Sequence, residues 1–311
     1  MEVSMIRIGK KNEEMGSNML NKVTIKAPAK INLTLDVIGK QPDGYHELRM
    51  IMQTIDLCDE LTISHTGSPK IELTMDKELP EPINIEQNLV YKAARLLQKQ
   101  YQLPYGFQIH LKKNIPAAAG LAGGSADCAA TLLGINHLCG LSLTKEELCE
   151  LGVSLGADVP FCIRKGTMLS EGIGERLTAL PELPPLWALL IKPDFSISTA
   201  YVYQNLHWKR LAYHPNTMGA VDAINRHDVI ELAKNLSNVL ETVAFPEHPE
   251  LPEIKDFFLQ NGAIGSLMSG SGPTIYGLYQ DEILAHIACK TAQEKYPEYE
   301  ILLCQTKIPN K

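Results

Sequence analysis

The chain has 311 residues, with 29 Lys+Arg against 36 Asp+Glu and a formal net charge of -7. At roughly 100–200 residues per domain, this length predicts two domains. A composition of 45% hydrophobic and 21% charged residues is that of a globular chain and excludes general disorder. The acidic balance speaks against a dedicated nucleic-acid binder, but leaves room for a small anion in a locally positive pocket.

Seven cysteines are scattered at Cys58, Cys128, Cys139, Cys149, Cys162, Cys289 and Cys304, with no Cys-x-x-Cys pair. That spacing argues against a zinc or redox motif and predicts reduced thiols in a cytoplasmic protein. No apolar run approaches the ~18–20 residues of a membrane span, so no membrane partner is expected. Residues 1–18 mix Arg7, Lys10 and Lys11 with Glu2, Glu13 and Glu14. They lack the apolar stretch of a secretory signal and read as a loose N-terminal extension.

From Val23 the chain reads as strand. Ile31, Leu33, Leu35 and Val37 alternate with Asn32, Thr34 and Asp36, a period of two that turns the apolar set to a core and groups Lys30 with the polar set on the other face. Asp43-Gly44 is turn chemistry, followed by strand through Ile51, Ile55 and 61–63. Asn88 is placed to cap a helix carrying Val90, Ala93, Ala94, Leu97 and Tyr101. Residues 107–111 form another strand. A Gly/Ala/Ser-rich stretch at 116–126 runs into a helix that Gly140 ends, and Thr144-Lys-Glu-Glu147 is a capping box for a helix through Leu155. A boundary falls at the prolines of 181–185, dividing the chain into 1–18, 19–181 and 182–311. Beyond it, 187–191 is strand, 219–236 mostly helix, and 251–260 helix stopped by Gly262. A strand–turn–strand spans 266–279, a helix 282–295 and a last strand 300–305. The mixture lacks regular βαβ alternation and predicts an α+β fold in two domains.

Five stretches carry chemistry. The loop of Pro116, Ala117, Ala118, Ala119, Gly120, Leu121, Ala122, Gly123, Gly124, Ser125 and Ala126 opens a helix. Small residues let backbone approach a ligand, and a helix start offers free N–H groups and partial positive charge to a phosphate. Ser125 is placed to cap that helix or to touch a metal on the phosphates. No Lys-Ser/Thr follows the glycines, so this is not a Walker A loop. Lys30 and Asn32 share a strand face, which by pattern alone better suits a solvated surface. Asp158 sits in Gly156-Ala-Asp-Val-Pro160, a turn pattern that also suits a base or orienting group for a hydroxyl. Tyr45 and His46 adjoin in a turn and suit stacking on, and hydrogen bonding to, a base. Gly270, Ser271 and Gly272 form a second small-residue turn. His110, His137, His207 and His286 show no metal-ligand spacing and read as structural.

The order of these stretches resembles the kinase superfamily that contains galactokinase, homoserine kinase, mevalonate kinase and phosphomevalonate kinase, the GHMP kinases. The likeness runs from about Lys22 to the C-terminus. It rests on Ala27-Pro-Ala-Lys-Ile-Asn-Leu33, Asp43-Gly-Tyr-His46, Gly120-Leu-Ala-Gly-Gly-Ser125, Gly156-Ala-Asp-Val-Pro-Phe161 and Ser269-Gly-Ser-Gly-Pro273. It is strongest with the branch whose acceptor is a cytidine-diphosphate-linked methylerythritol of non-mevalonate isoprenoid synthesis. The resemblance implies an N-terminal α+β domain, a ferredoxin-like C-terminal domain and a site between them. It implies ATP as co-substrate with Mg, Lys30 and Asp158 as the catalytic pair, and 116–126 as the ATP loop. Asn32, Tyr45, His46 and Tyr203 would meet the cytidine-bearing small molecule, and Ser125 the metal. Ala122 and Ala126 depart from the family's frequent glycine and serine; Ala122 is expected to keep φ negative or to shift the loop slightly, and Ala126 to remove one hydroxyl contact. A kinase for another small alcohol and a non-catalytic nucleotide sensor are the competing readings, with a monomer or weak homodimer expected. An RNA-binding module is disfavoured by the acidic charge.

Overall fold

The computed structural model describes residues 21–42, 44–77 and 84–307. The extension expected over 1–18, and Asp43 of the Tyr45 turn, lie outside the described residues. The first half of the chain builds strands β1 (Lys22–Lys40), β2 (His46–Thr66) and β3 (Ile71–Met75), helix α1 (Leu89–Gln100) and strand β4 (Gly106–Lys112). Helices α2 (Gly123–Leu138), α3 (Lys145–Val153) and α4 (Val159–Arg164) follow, then strands β5 (Thr167–Gly172) and β6 (Arg176–Ala179). The second half begins with β7 (Trp187–Lys192). It continues through α5 (Thr199–Asn205), α6 (Thr217–Asn225), α7 (Val229–Lys234), the two-residue β8 (Ser237–Asn238) and α8 (Glu241–Glu247). It ends with α9 (Glu250–Gln260), β9 (Gly265–Met268), β10 (Ile275–Tyr279), α10 (Glu282–Lys295) and β11 (Glu300–Gln305).

Local chemistry accounts for most boundaries. Asn88 caps α1 by accepting the Val90 N–H, and Thr144 and Glu147 form the reciprocal capping box at α3. Gly140 and Gly262 take positive φ just beyond α2 and α9, as helix stops do. The helical region expected over 219–236 breaks at His227, which has φ 55°, and Asp228 restarts it by capping α7. Helix α2 has buried residues on every side, among them Cys128, Leu132, Gly134 and Ile135, the mark of a helix inside the core rather than on it. It packs on β1 and β2.

One sheet of seven strands runs β3-β4-β2-β1-β8, with β5 on β2 and β6 on β5. β2 reads as two strand regions in sequence but is a single 21-residue strand. One end pairs with β4 and the other with β5. The second sheet is antiparallel in the order β11-β7-β10-β9. With α9 before β9 and α10 between β10 and β11, this is the split βαββαβ arrangement of a ferredoxin-like domain. The α+β class and the ferredoxin-like second half therefore stand as expected.

The outcome for β1 differs from a solvated strand. Its register slips at Pro28/Lys30, Asn32/Thr34 and Val37/Gly39, bulges of the kind that re-aim side chains near functional sites. Both its faces are buried: Lys30, Asn32, Thr34 and Asp36 are each no more than 4% exposed. The cover comes from the second half. Tyr276 donates its hydroxyl proton to the Asn32 carbonyl at 2.7 Å, and the His214 ring lies 2.8 Å from Asp36.

Candidate active site

A cleft of about 1040 Å³ opens between the two halves, at the upper end of the roughly 300–1,000 Å³ typical of one small-molecule pocket. Lys30, Asn32, Tyr45, His46, Asp158, Tyr203, Gly270, Ser271 and residues 116–125 all line it. Ala126 and Gly272 do not: Ala126 is buried in the core beneath the loop, and the absent Cβ of Gly272 would press on Met268 Sδ at 2.7 Å.

Three segments distant in sequence meet at Gly120. The Lys30 ammonium donates to the Gly120 carbonyl at 2.8 Å and to Asn32 Oδ1 at 2.7 Å. Ser269 Oγ donates to the same Gly120 carbonyl at 3.0 Å, and the Gly270 N–H donates to Asn32 Oδ1 at 3.0 Å. Asn238 steadies the turn by donating to the carbonyls of Met268 and Gly270. The fit is tight: a Cβ on Gly120, which has φ 74°, would lie 2.1 Å from the Ser269 carbonyl oxygen. Asn32 is thus largely committed to holding Lys30 and the Gly270 turn, with its Nδ2 aimed at Met50 Sδ at 3.3 Å.

The loop leads into α2, whose first turn no side chain caps. Free N–H groups and the helix dipole are therefore directed to the cleft. Ala122 adopts φ 57°, ψ 29°, and Ala118 φ 49°. Ala122 does not keep the negative φ expected as one option; the loop holds two alanines in the left-handed region, a conformation that costs an L-residue about 1–2 kcal/mol. Ser125 lies within the helix rather than capping it. Its Oγ is 3.7 Å from where a Cβ of Gly156 would sit, so it faces a wall left open by the missing side chain.

Asp158, read from sequence as a turn residue, occupies the N-cap position of α4, with Pro160 in the first turn. Its side chain makes no capping bond and lines the cleft half-buried. No ion pair joins it to Lys30, yet the two groups sense each other. Burial drives the Lys30 pKa below its ordinary value, and the Asp158 charge opposes that shift. Burial, reinforced by Asp158, also raises the Tyr203 hydroxyl. Tyr203, on α5, stacks with His46 at 5.2 Å between ring centroids and 27° between planes. Partial burial and the Lys40 charge hold His46 below the usual histidine range, so it is a neutral ring at pH 7, able to donate and to accept. Tyr45 is 61% exposed at the cleft rim.

Several lining residues carry no signal of a site in the sequence. Met75, Leu89 and Leu111 wall the cleft beside Asn88 and Lys113, and Thr199 donates to or accepts from Ser271 at 2.8 Å. They come from β3, α1 and its cap, β4 and the loop after it, and α5, and only the fold brings them together. Among the described residues no group of three or more His, Cys, Asp or Glu is arranged to hold a metal, and no helix is long and apolar enough to cross a membrane.

The family model for the GHMP kinases N terminal domain matches residues 88–166, and that for the GHMP kinases C terminal domain matches 220–298. A 4-diphosphocytidyl-2-C-methyl-D-erythritol kinase of Lachnoclostridium phytofermentans is 48% identical over 279 residues, covering 90% of this chain and 93% of that protein. A crystal structure of a 4-(cytidine 5'-diphospho)-2C-methyl-D-erythritol kinase superposes with a TM-score of 0.77 at 31% identity, covering 91% of this chain and 98% of that one. A homoserine kinase from Cytophaga hutchinsonii reaches the same TM-score at 19% identity, covering 95% and 98%, a likeness of fold.

Proposed function

Since the chain belongs to the 4-diphosphocytidyl-2-C-methyl-D-erythritol kinase family of the GHMP kinases, we propose that it transfers the γ-phosphoryl group of ATP to the 2-hydroxyl of 4-diphosphocytidyl-2-C-methyl-D-erythritol, in non-mevalonate isoprenoid synthesis. The observation that carries this reading is the Gly120 junction. It sets a buried ammonium against a loop at an uncapped helix start, with an uncommitted carboxylate and an aromatic pair in the same cleft.

The ATP phosphates lie on 116–125, where backbone N–H groups and the α2 dipole favour negative charge. The apolar wall of Met75, Leu89 and Leu111 suits the adenine ring. At the other end, Tyr45, His46 and Tyr203 receive cytosine: the rings stack on it, and neutral His46 matches its mixed donor and acceptor edge. Asp158 orients the acceptor hydroxyl and takes its proton as the new O–P bond forms and the bond to the β-phosphate oxygen breaks. Lys30, held by Asn32 and the Gly120 carbonyl, stabilises charge on the phosphoryl group in transit. Phosphoryl transfer goes through a loose transition state, so positioning and charge stabilisation outweigh base strength.

Mg2+ keeps several waters and takes one or two protein oxygens beside those of the phosphates. Ser125 Oγ, facing the Cβ-free wall at Gly156, suits that demand, and Mg2+ when bound would offset charge on the β- and γ-phosphates.

The test is ADP release with Mg-ATP and the cytidylated methylerythritol, beside homoserine and mevalonate. Turnover with the cytidylated alcohol alone is expected. Turnover with a control instead would retain the Lys30–Asp158 chemistry and overturn the base-recognition reading.

A further inference from the structure

Both flanks of the phosphate loop are tied to one buried carboxylate. Strand β4 ends at Lys112, the chain enters the loop through Lys113, Asn114 and Ile115, and Asp127 follows directly after it. Asp59, on β2 and fully buried, accepts the N–H groups of Asn114 at 2.6 Å and Ile115 at 2.8 Å on Oδ1, and the Lys113 ammonium on Oδ2. The same ammonium donates to Asp127 Oδ2 at 2.8 Å. It also packs 3.5 Å from where a Cβ of Gly123, the first residue of α2, would sit.

We propose that Asp59 is a positioning residue for phosphoryl transfer, clamping the entry of the phosphate loop directly and its exit through Lys113 and Asp127. The proposal rests on the reading that 116–125 receives the ATP phosphates. Two further observations favour it. Ala118 and Ala122 sit in the left-handed region, and such conformers persist only where the surroundings over-determine them. A buried ion pair also adds little stability over apolar packing of the same volume, so a role in stability alone accounts poorly for a lysine bracketed by two carboxyl groups at the flanks of the loop.

Asp59→Asn tests the clamp. Its Oδ1 still accepts the two backbone N–H groups, but its amide cannot accept the Lys113 ammonium. KM for ATP should rise about tenfold, the scale of one lost charged hydrogen bond. KM for the cytidylated acceptor should stay within about twofold, and kcat at saturating ATP should fall less than KM rises, because bound nucleotide restores the loop. Amide hydrogen exchange over 113–127 should quicken in the free variant and return to the wild-type rate with a non-hydrolysable ATP analogue. Asp59→Glu should recover part of the ATP affinity. If Asp59→Asn does not fold, Lys113→Met carries the same measurements, since it cuts the link between the two flanks. A folded variant with unchanged ATP KM and unchanged exchange, or with both KM values raised equally, would overturn the proposal. If the analogue fails to slow exchange over 113–127 in the wild-type enzyme, the phosphate-loop reading itself falls, and the clamp with it.

Discussion

Gly120→Ala is the most informative single change in the loop. The new methyl would be built 2.1 Å from the Ser269 carbonyl oxygen, backbone against backbone. The two segments must therefore part by most of an ångström. Alanine also inherits φ 74°, at a cost of about 1–2 kcal/mol. Parting the segments strains the bonds from Lys30 and Ser269 to the Gly120 carbonyl, worth roughly 1.5–3 kcal/mol for the charged donor and 0.5–1.5 for the neutral one. Together these predict a loss of roughly 3–6 kcal/mol, a large share of the ~5–15 kcal/mol that holds a typical domain. Urea denaturation of wild type and variant, followed by far-UV circular dichroism, measures it directly. The soluble fraction should also lose kcat, since Lys30 loses one of its two fixed partners. A variant within about 1 kcal/mol of wild type would refute the close approach at Gly120 on which the reasoning depends.

Ala122→Gly should act in the opposite direction: relief of about 1–2 kcal/mol of left-handed strain, less ~0.4–1 kcal/mol for the freer unfolded chain, leaves a small net gain in stability, read as a higher urea midpoint. Lys30→Ala and Asp158→Asn should each lower kcat by at least ~10²-fold with the fold intact by circular dichroism; turnover near wild type in either would remove its assigned role. The two groups are also coupled through pH. Burial lowers the Lys30 pKa and Asp158 props it up, so activity that needs the ammonium should fade on the alkaline side before the ordinary lysine range, and the residual activity of Asp158→Asn should fade at still lower pH. Tyr203→Ala should raise KM for the cytidylated acceptor about 5- to 150-fold while leaving KM for ATP nearly unchanged, because base stacking on an aromatic is worth ~1–3 kcal/mol; Tyr203→Phe, which keeps the ring, should stay close to wild type.

What can be read in the sequence is what a few neighbouring residues decide. The caps at Asn88 and Thr144, the stops at Gly140 and Gly262 and the strand through Ile31 to Val37 all appear in the structure where local chemistry puts them. The clustering of Lys30, Asp158, Tyr203 and the phosphate loop was legible through a resemblance of motifs, not through spacing. Helix α4 is hidden because Gly156, Asp158 and Pro160 spell a turn, and its six residues are too few to show a period. The burial of Lys30 to Asp36 is invisible because the covering groups, at 214, 270 and 276, lie about 180 to 240 positions away. Asp59 and Lys113 look like ordinary ends of strands: their partnership spans 54 residues, and nothing local announces it.

The contact between Asn32 and Gly270 spans 238 residues, and β8, the last strand of the larger sheet, is synthesised about 200 residues after its partner β1. A ribosome adding about 5–20 residues per second needs on the order of ten to fifty seconds to cross that interval. Throughout it the nascent chain carries Lys30, Asn32 and Asp36 on a strand face still open to water, with the Gly270 turn not yet made. The first half can collapse around α2 in that time, but Gly120 and Asn32, which hold Lys30, gain their bonds from Ser269 and Gly270 only as the C-terminal strands emerge. Activity is therefore expected to come late in synthesis, and chains truncated before Gly270 should release a wet, unassembled site rather than a partly working kinase.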